Sequence, residues 1–374
     1  MFIKDFLSKF AEELKENNLM ADTKPGLFAQ DHSNSSRDYT KPAVWGKNQF
    51  NSSFPASLVA YMYSKGVAPV YLCVDKHNKV VHQYIQGDIL YGINPLADNA
   101  FYNFEAGYSA FDKYYTGNRE TIDLVMIDSH AEKELIGLEV KLTALPDNTT
   151  KSKGDEGYSC EIVVRPPTIC FLACTICKNY EGEKGRNRLK KLLDGVPKIK
   201  HWEDVDNVLP YYNQILQAVL SVSTDLYKNQ TPLIVQPVWK SVGGRGVLAD
   251  DCLDVFVWSN LAVIQMFCQQ QSKVEITRHM RSVIWLYRIL FEYVTYGQFD
   301  YVAIIKELSY GKANDKAFAI SGNVSYPFLA CDELTHPRIK KDEIKNIILG
   351  GGQNYLSPER RFDAVIVNSP ELFE

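Results

Sequence analysis

Asp123, Glu139 and Lys141 have the side-chain types and spacing of a site that hydrolyses a phosphodiester. Two carboxylates brought to one point repel each other unless a cation lies between them. Hard oxygen ligands of this kind suit Mg2+, which keeps several waters and accepts phosphate oxygens. The backbone carbonyl of Val140 offers a further ligand. Lys141, next but one after Glu139, is spaced to orient an attacking water and to offset charge as phosphorus becomes pentavalent. An acid and a lysine so spaced also occur on the solvated face of many antiparallel strands, so the surrounding elements must decide between the two readings.

Residues 119–147 read as two short apolar strands joined by a polar turn at 128–133, with Asp123 on the first strand and Glu139 and Lys141 on the second. Side chains alternate along a strand, so Glu139 and Lys141 share one face while Leu138, Val140 and Leu142 take the other. Pairing as a hairpin brings Asp123 beside Glu139. Upstream, 2–16 has the spacing of an amphipathic helix, and 20–53 is rich in Gly, Pro, Asn, Ser and Asp. That long segment ends with Lys47, Asn48 and Gln49 set between Trp45 and Phe50, as either a binding loop or a surface loop pinned by its aromatics. A short helix is expected at 56–63, with strands at 68–74 and 80–86. The aromatic-rich segment 89–115 carries Glu105, expected on a helix just before the hairpin, as an extra metal ligand or a solvated carboxylate.

Downstream, a strand is expected at 160–164, a break at Pro166-Pro167 and a helix at 168–177. Residues 178–200 hold eight basic and three acidic side chains, which read either as phosphate contacts or as a solvated helix face. Helical periodicity covers 209–227 and 275–298. Residues 232–240 read as a buried strand on which Gln236 and Lys240 share a side, expected to be that of Glu139. Residues 241–247 read as a flexible loop carrying Arg245, and 360–367 as a closing strand.

The chain has 374 residues, 45% apolar and 23% charged, with a net charge of −4, so no global basic field points to nucleic acid and any polyanion site must be local. Cys174 and Cys177 have half the spacing of a zinc site, but no second pair completes it, and the segment reads as buried free thiols. Neither a signal-peptide h-region at the start nor a membrane-length apolar run is present, which implies a reduced, cytoplasmic protein with no membrane partner.

A strand with Asp, a strand with Glu-x-Lys, a helix and a further buried strand follow the order of the PD-(D/E)xK nuclease core. The sequence resembles that superfamily at Asp123, Glu139, Val140 and Lys141, with Ile122 where a proline often stands. Lys24-Pro-Gly-Leu-Phe, Asp31-His-Ser-Asn, the run from Trp45 to Leu58, the run from Gly137 to Asp147, and Gln236-Pro-Val-Trp-Lys-Ser resemble the HindVP family of type II restriction endonucleases. The resemblance implies an α/β fold with a restriction-endonuclease-like mixed sheet flanked by helices and elaborated at both ends. It implies one nuclease domain over 1–374, a catalytic core at 100–260 and a DNA-contacting loop segment at 20–55. The implied reaction is Mg2+-dependent cutting of both strands of DNA within a GRCGYC-type site, leaving 5′ phosphates, with a companion methyltransferase protecting the host.

A near-palindromic target is matched most economically by a homodimer. The candidates for DNA contact are Asn48, Gln49, Arg165, Gln236 and Arg245 at bases, with Lys47 and Lys240 nearer the phosphates. Two alternatives stand beside this reading: a PD-(D/E)xK nuclease of repair or recombination without sequence specificity, and a DNA-binding module that has lost the chemistry.

Overall fold

The computed structural model describes residues 53–117, 120–141, 161–202, 205–238, 241–242, 245–246, 254–269, 278–308, 318–321, 338–340 and 342–343. At its centre is a seven-stranded sheet built from β1 (Val70–Val74), β2 (Val80–Tyr84), β3 (Ala100–Gly107), β5 (Thr121–Asp128), β6 (Lys133–Val140), β8 (Pro232–Val238) and β11 (Asp254–Ser259). The spatial order is β2-β1-β11-β8-β6-β5-β3. β1 runs parallel to β11 and β6 parallel to β8, while the other neighbours are antiparallel. Short pairs lie outside it: β4 (Tyr115–Thr116) with β12 (Phe299–Asp300), β7 (Glu161–Val164) with β13 (Phe318–Ser321), and β9 (Ser241–Val242) with β10 (Arg245–Gly246).

Both faces of the sheet are covered, and strand alternation distributes the side chains between them. Val70, Leu72, Phe256, Trp258 and Ile234 enter one core, whereas Tyr71, Cys73, Val255, Val257 and Val235 enter the other. A one-residue slip of β11 would exchange its two sets, so burial on both sides fixes the register. The smaller core is closed by α1 (Ser53–Ser64) and α2 (Gly87–Tyr91). The larger one lies under α4 (Pro166–Cys177), α5 (Gly182–Leu192), α7 (Tyr212–Leu226), α8 (Asn260–Gln269), α9 (Arg278–Tyr296) and α10 (Tyr301–Leu308). The short helices α3 (Ser109–Asp112) and α6 (Val205–Val208) link these elements.

Helix α4 is the pivot of the larger core. All of its residues except Pro167 are buried, and α9 packs along it. A helix apolar on every side is stable only inside a protein. The apolar run after Asp254 divides into β11 and α8 at Ser259, whose Oγ accepts the N–H of Ala262 at 3.0 Å and so caps the new helix. Arg338 clamps the start of β11: its guanidinium donates to both carboxylate oxygens of Asp254 at 2.9 and 2.8 Å and to the carbonyl of Ala68 at 2.8 Å.

The expected hairpin, the strands near 70 and 82 and the helices at 56–63, 168–177, 209–227 and 275–298 are all present within a few residues. Two expectations are corrected. Glu105 lies on strand β3, not on a helix, because Ala100, Tyr102 and Phe104 repeat at every second residue, which is strand periodicity. The segment 241–247 is no simple flexible loop: β9 and β10 pair in it as an antiparallel ribbon, Val242 with Arg245 and Ser241 with Gly246. The expected helix at 2–16, loop at 20–53 and strand at 360–367 lie outside the described residues.

Candidate active site

The β5–β6 hairpin sets the site. Its turn is built by Asp128, whose Oδ1 accepts the N–H groups of His130 (3.0 Å) and Ala131 (3.2 Å) and the amide of Asn99 (2.7 Å). These bonds, that of Asn99 foremost, hold the Asp128 carboxyl below the usual carboxylate range. Glu132 takes the left-handed conformation at φ 48°, which lets the chain reverse. Beyond a register shift at Met126/Ile127, the strands pair Met126↔Ile136, Val125↔Gly137 and Leu124↔Leu138.

One step further, the same register sets Asp123 opposite Glu139. There the ladder opens, and the N–H of Val140 donates to Asp123 Oδ2 at 2.7 Å instead of to a strand carbonyl. The N–H and C=O of one strand residue point the same way, so the Val140 carbonyl also faces the Asp123 strand. On the other side of β5, the pairs Phe104↔Leu124 and Ala106↔Ile122 set Glu105 opposite Asp123. Three acidic positions therefore stand in a row across β3, β5 and β6. The side chain of Glu105 is outside the described residues.

Glu139 and Lys141 are only 8% and 9% exposed. Charges so far from water persist only when paired. Lys141 Nζ donates to Glu139 Oε1, and Thr168 Oγ1 of α4 lies 3.4 Å from the same oxygen. The backbone is held from the other side, where β6 pairs with β8 as Glu139↔Ile234 and Val140↔Val235 and the Lys141 N–H reaches the carbonyl of Val235 at 2.8 Å. Glycine is required nearby: a Cβ on Gly137 would come within 2.9 Å of the Tyr108 ring, which lies across the strand two residues before Glu139. Lys178 donates to the Tyr108 hydroxyl at 3.2 Å and lies over its ring.

The donor set fits Mg2+. It combines two carboxylates with a carbonyl, all hard oxygens, and Mg2+ binds through one or two carboxylates with water and phosphate oxygens filling the remaining positions. Among the described residues no group of three or more His, Cys, Asp or Glu side chains could hold a metal ion, and such a cage is not what Mg2+ requires. Cys174 and Cys177 are buried free thiols, as expected, with burial raising both well above the ordinary thiol range.

The sequence-nominated DNA contacts scatter. Arg165 is exposed and precedes α4, whose third residue, Thr168, approaches Glu139. Gln236 occupies the β8 position next to Lys141 on the Glu139 side of the sheet, but it is fully buried and its Oε1 accepts the indole N–H of Trp258 at 3.0 Å. No base edge reaches it in this arrangement. Arg245 lies on β10, with its side chain outside the described residues, and Lys47, Asn48, Gln49 and Lys240 lie wholly outside them. Thr168 was not singled out from sequence. The Pro-Pro-Thr start of a helix after a strand marks a break, but the approach of Thr168 to Glu139 leaves no local signal.

Comparison with known proteins gives a consistent picture. The family model for the HindVP restriction endonuclease matches residues 45–373. The type II restriction enzyme HgiDI of Herpetosiphon aurantiacus is 39% identical over 354 residues, 94% of this chain and 97% of that protein. The probable type II restriction enzyme HindVP of Haemophilus influenzae is 39% identical over 356 residues, 94% of this chain and 95% of that protein. No solved structure matches.

Proposed function

This chain belongs to the HindVP family of restriction endonucleases, and on that premise we propose that it makes Mg2+-dependent double-strand cuts in DNA at a GRCGYC-type sequence, leaving 5′ phosphates. The observation that carries the chemistry is the bond of Asp123 to the N–H of Val140, the residue between the buried and paired Glu139 and Lys141. Asp123, Glu139 and the Val140 carbonyl would hold the ion, with Glu105, at the neighbouring register position, as a further candidate ligand. Bound Mg2+ stabilises charge on the phosphoryl oxygens and makes water more acidic. Lys141 orients the attacking water in line with the scissile bond and offsets the charge that gathers on the phosphorane. The bond to the 3′ oxygen breaks, and the phosphate stays with the 5′ end.

Family membership favours cutting at a defined sequence over a repair-type nuclease or a catalytically silent binding module. Cutting both strands of a near-palindromic site calls for two copies of this centre, supplied by a homodimer. The segment 20–55, with Lys47, Asn48 and Gln49, and Arg165, Lys240 and Arg245 are the groups that face DNA in this reading. A methyltransferase of the same specificity protects the host chromosome, and the pair works in the cytoplasm. No helix among the described residues is long and apolar enough to cross a membrane. Incubation with unmethylated phage DNA, with and without Mg2+, followed by sequencing of the fragment ends, tests the proposal. Ends that share GRCGYC and appear only with the metal support it, whereas a smear or a different shared motif rejects that assignment.

A further inference from the structure

The proposed function treats Glu139 as a ligand but leaves open what fixes its carboxylate. Buried donors from two elements converge on a single oxygen: Lys141 Nζ donates to Oε1, and Thr168 Oγ1 lies 3.4 Å from it. No described group donates to Oε2. Thr168 is 1% exposed and sits at the start of α4, a helix buried nearly throughout and packed along α9. Its first two residues are Pro166 and Pro167, which have no N–H to present. The group of the helix start that lies within reach of Glu139 is the Thr168 hydroxyl.

We propose that Thr168 is a positioning residue that holds Oε1 of Glu139 and so turns Oε2 toward the divalent cation. The inference rests on the metal-binding role given to Glu139 above. Thr168 touches neither DNA nor the reacting phosphorus; it acts by limiting the rotation of one carboxylate. A rigid, almost entirely buried helix suits that task better than a surface loop, because its side chains keep a single rotamer. Partners of this kind, behind a ligand, typically change metal affinity or activity by about 10–100-fold when lost.

The test uses the full chain and Mn2+ as the calorimetric probe, alongside Mg2+ titrations of cleavage. Thr168→Val keeps the shape and removes the hydroxyl, while Thr168→Ser keeps the hydroxyl. Thermal melts of both variants report folding. The expected result is that T168V binds Mn2+ about 10-fold more weakly and needs correspondingly more Mg2+ for half-maximal cutting, while T168S stays within about twofold of the wild type. Wild-type Mn2+ affinity in folded T168V overturns the inference, as does a loss in T168S equal to that in T168V, which would assign the effect to packing. Glu139→Gln separates the two levels. If E139Q binds Mn2+ like the wild type, the ligand assignment beneath the inference fails; if E139Q loses binding while T168V does not, only the role of Thr168 falls.

Discussion

The N–H of Val140 donates to Asp123 Oδ2 at 2.7 Å, so the aspartate is anchored to the backbone of the strand that carries Glu139. Asp123→Asn keeps an oxygen able to accept that bond while removing the charge. The variant is expected to melt close to the wild-type temperature and to lose cleavage. Retained Mg2+-dependent cutting by D123N would exclude the aspartate as a ligand.

Lys141 is the buried cation of the site, and truncation removes its amine without disturbing the Val235 bond, which uses the backbone. Lys141→Ala should slow cleavage by about 10²–10³-fold, the range for losing one electrostatic contact to a transition state. Binding to target DNA, followed by gel shift in Ca2+, should persist. A variant that cuts at the wild-type rate gives the lysine no part in the reaction.

Gln236 is buried against Trp258, and replacing it should act on stability. Gln236→Leu leaves the indole N–H without its acceptor, an expected loss of about 1–3 kcal/mol in denaturant unfolding. The sequences of the cut ends should stay the same. Relaxed specificity at full stability would restore it as a base-reading residue.

A methyl group at residue 137 meets the Tyr108 ring at 2.9 Å and the Ile122 side chain at 3.1 Å. Gly137→Ala is expected to cost about 1–3 kcal/mol through overpacking. Because the displaced strand also carries Glu139, the Mg2+ demand of the surviving enzyme should rise. An unchanged melt together with an unchanged Mg2+ titration would show that the ring moves aside without consequence.

Burial pushes the Cys73 thiol up to about 11 and that of Cys268 up to about 12, and raises Cys170, Cys174 and Cys177 as well. Thiolate is the reactive form, so these five sites should resist iodoacetamide at pH 8 in the folded protein and react on denaturation. Peptide mapping by mass spectrometry reads each site separately. Rapid native labelling at Cys174 and Cys177 would mean that α4 opens in solution.

The hairpin was legible in the sequence because its polar turn and its alternating apolar residues are local signals. They gave the face shared by Glu139 and Lys141, and with it the position of Asp123. Glu105 was misread as helical: the aromatic density of its segment hid a period of two. Gln236 looked like an accessible polar side chain because alternation gives a face and does not reveal that Trp258 and the helical layer cover it. Thr168 was beyond reach, since its approach to Glu139 depends on how α4 docks against the sheet. What pattern cannot supply in each case is contact between elements distant in sequence.

The parallel pairing of β6 with β8 has a consequence in time. Lys141 is anchored through its N–H to Val235, which the ribosome adds only after β7, α4, α5 and α7 have been made. The hairpin can form early, but its lysine lacks that anchor until β8 arrives. A nascent or truncated chain ending before β8 therefore carries all three chemical groups in an incompletely fixed arrangement. For a restriction endonuclease, that delays completion of the site until residue 235 of 374 has been added.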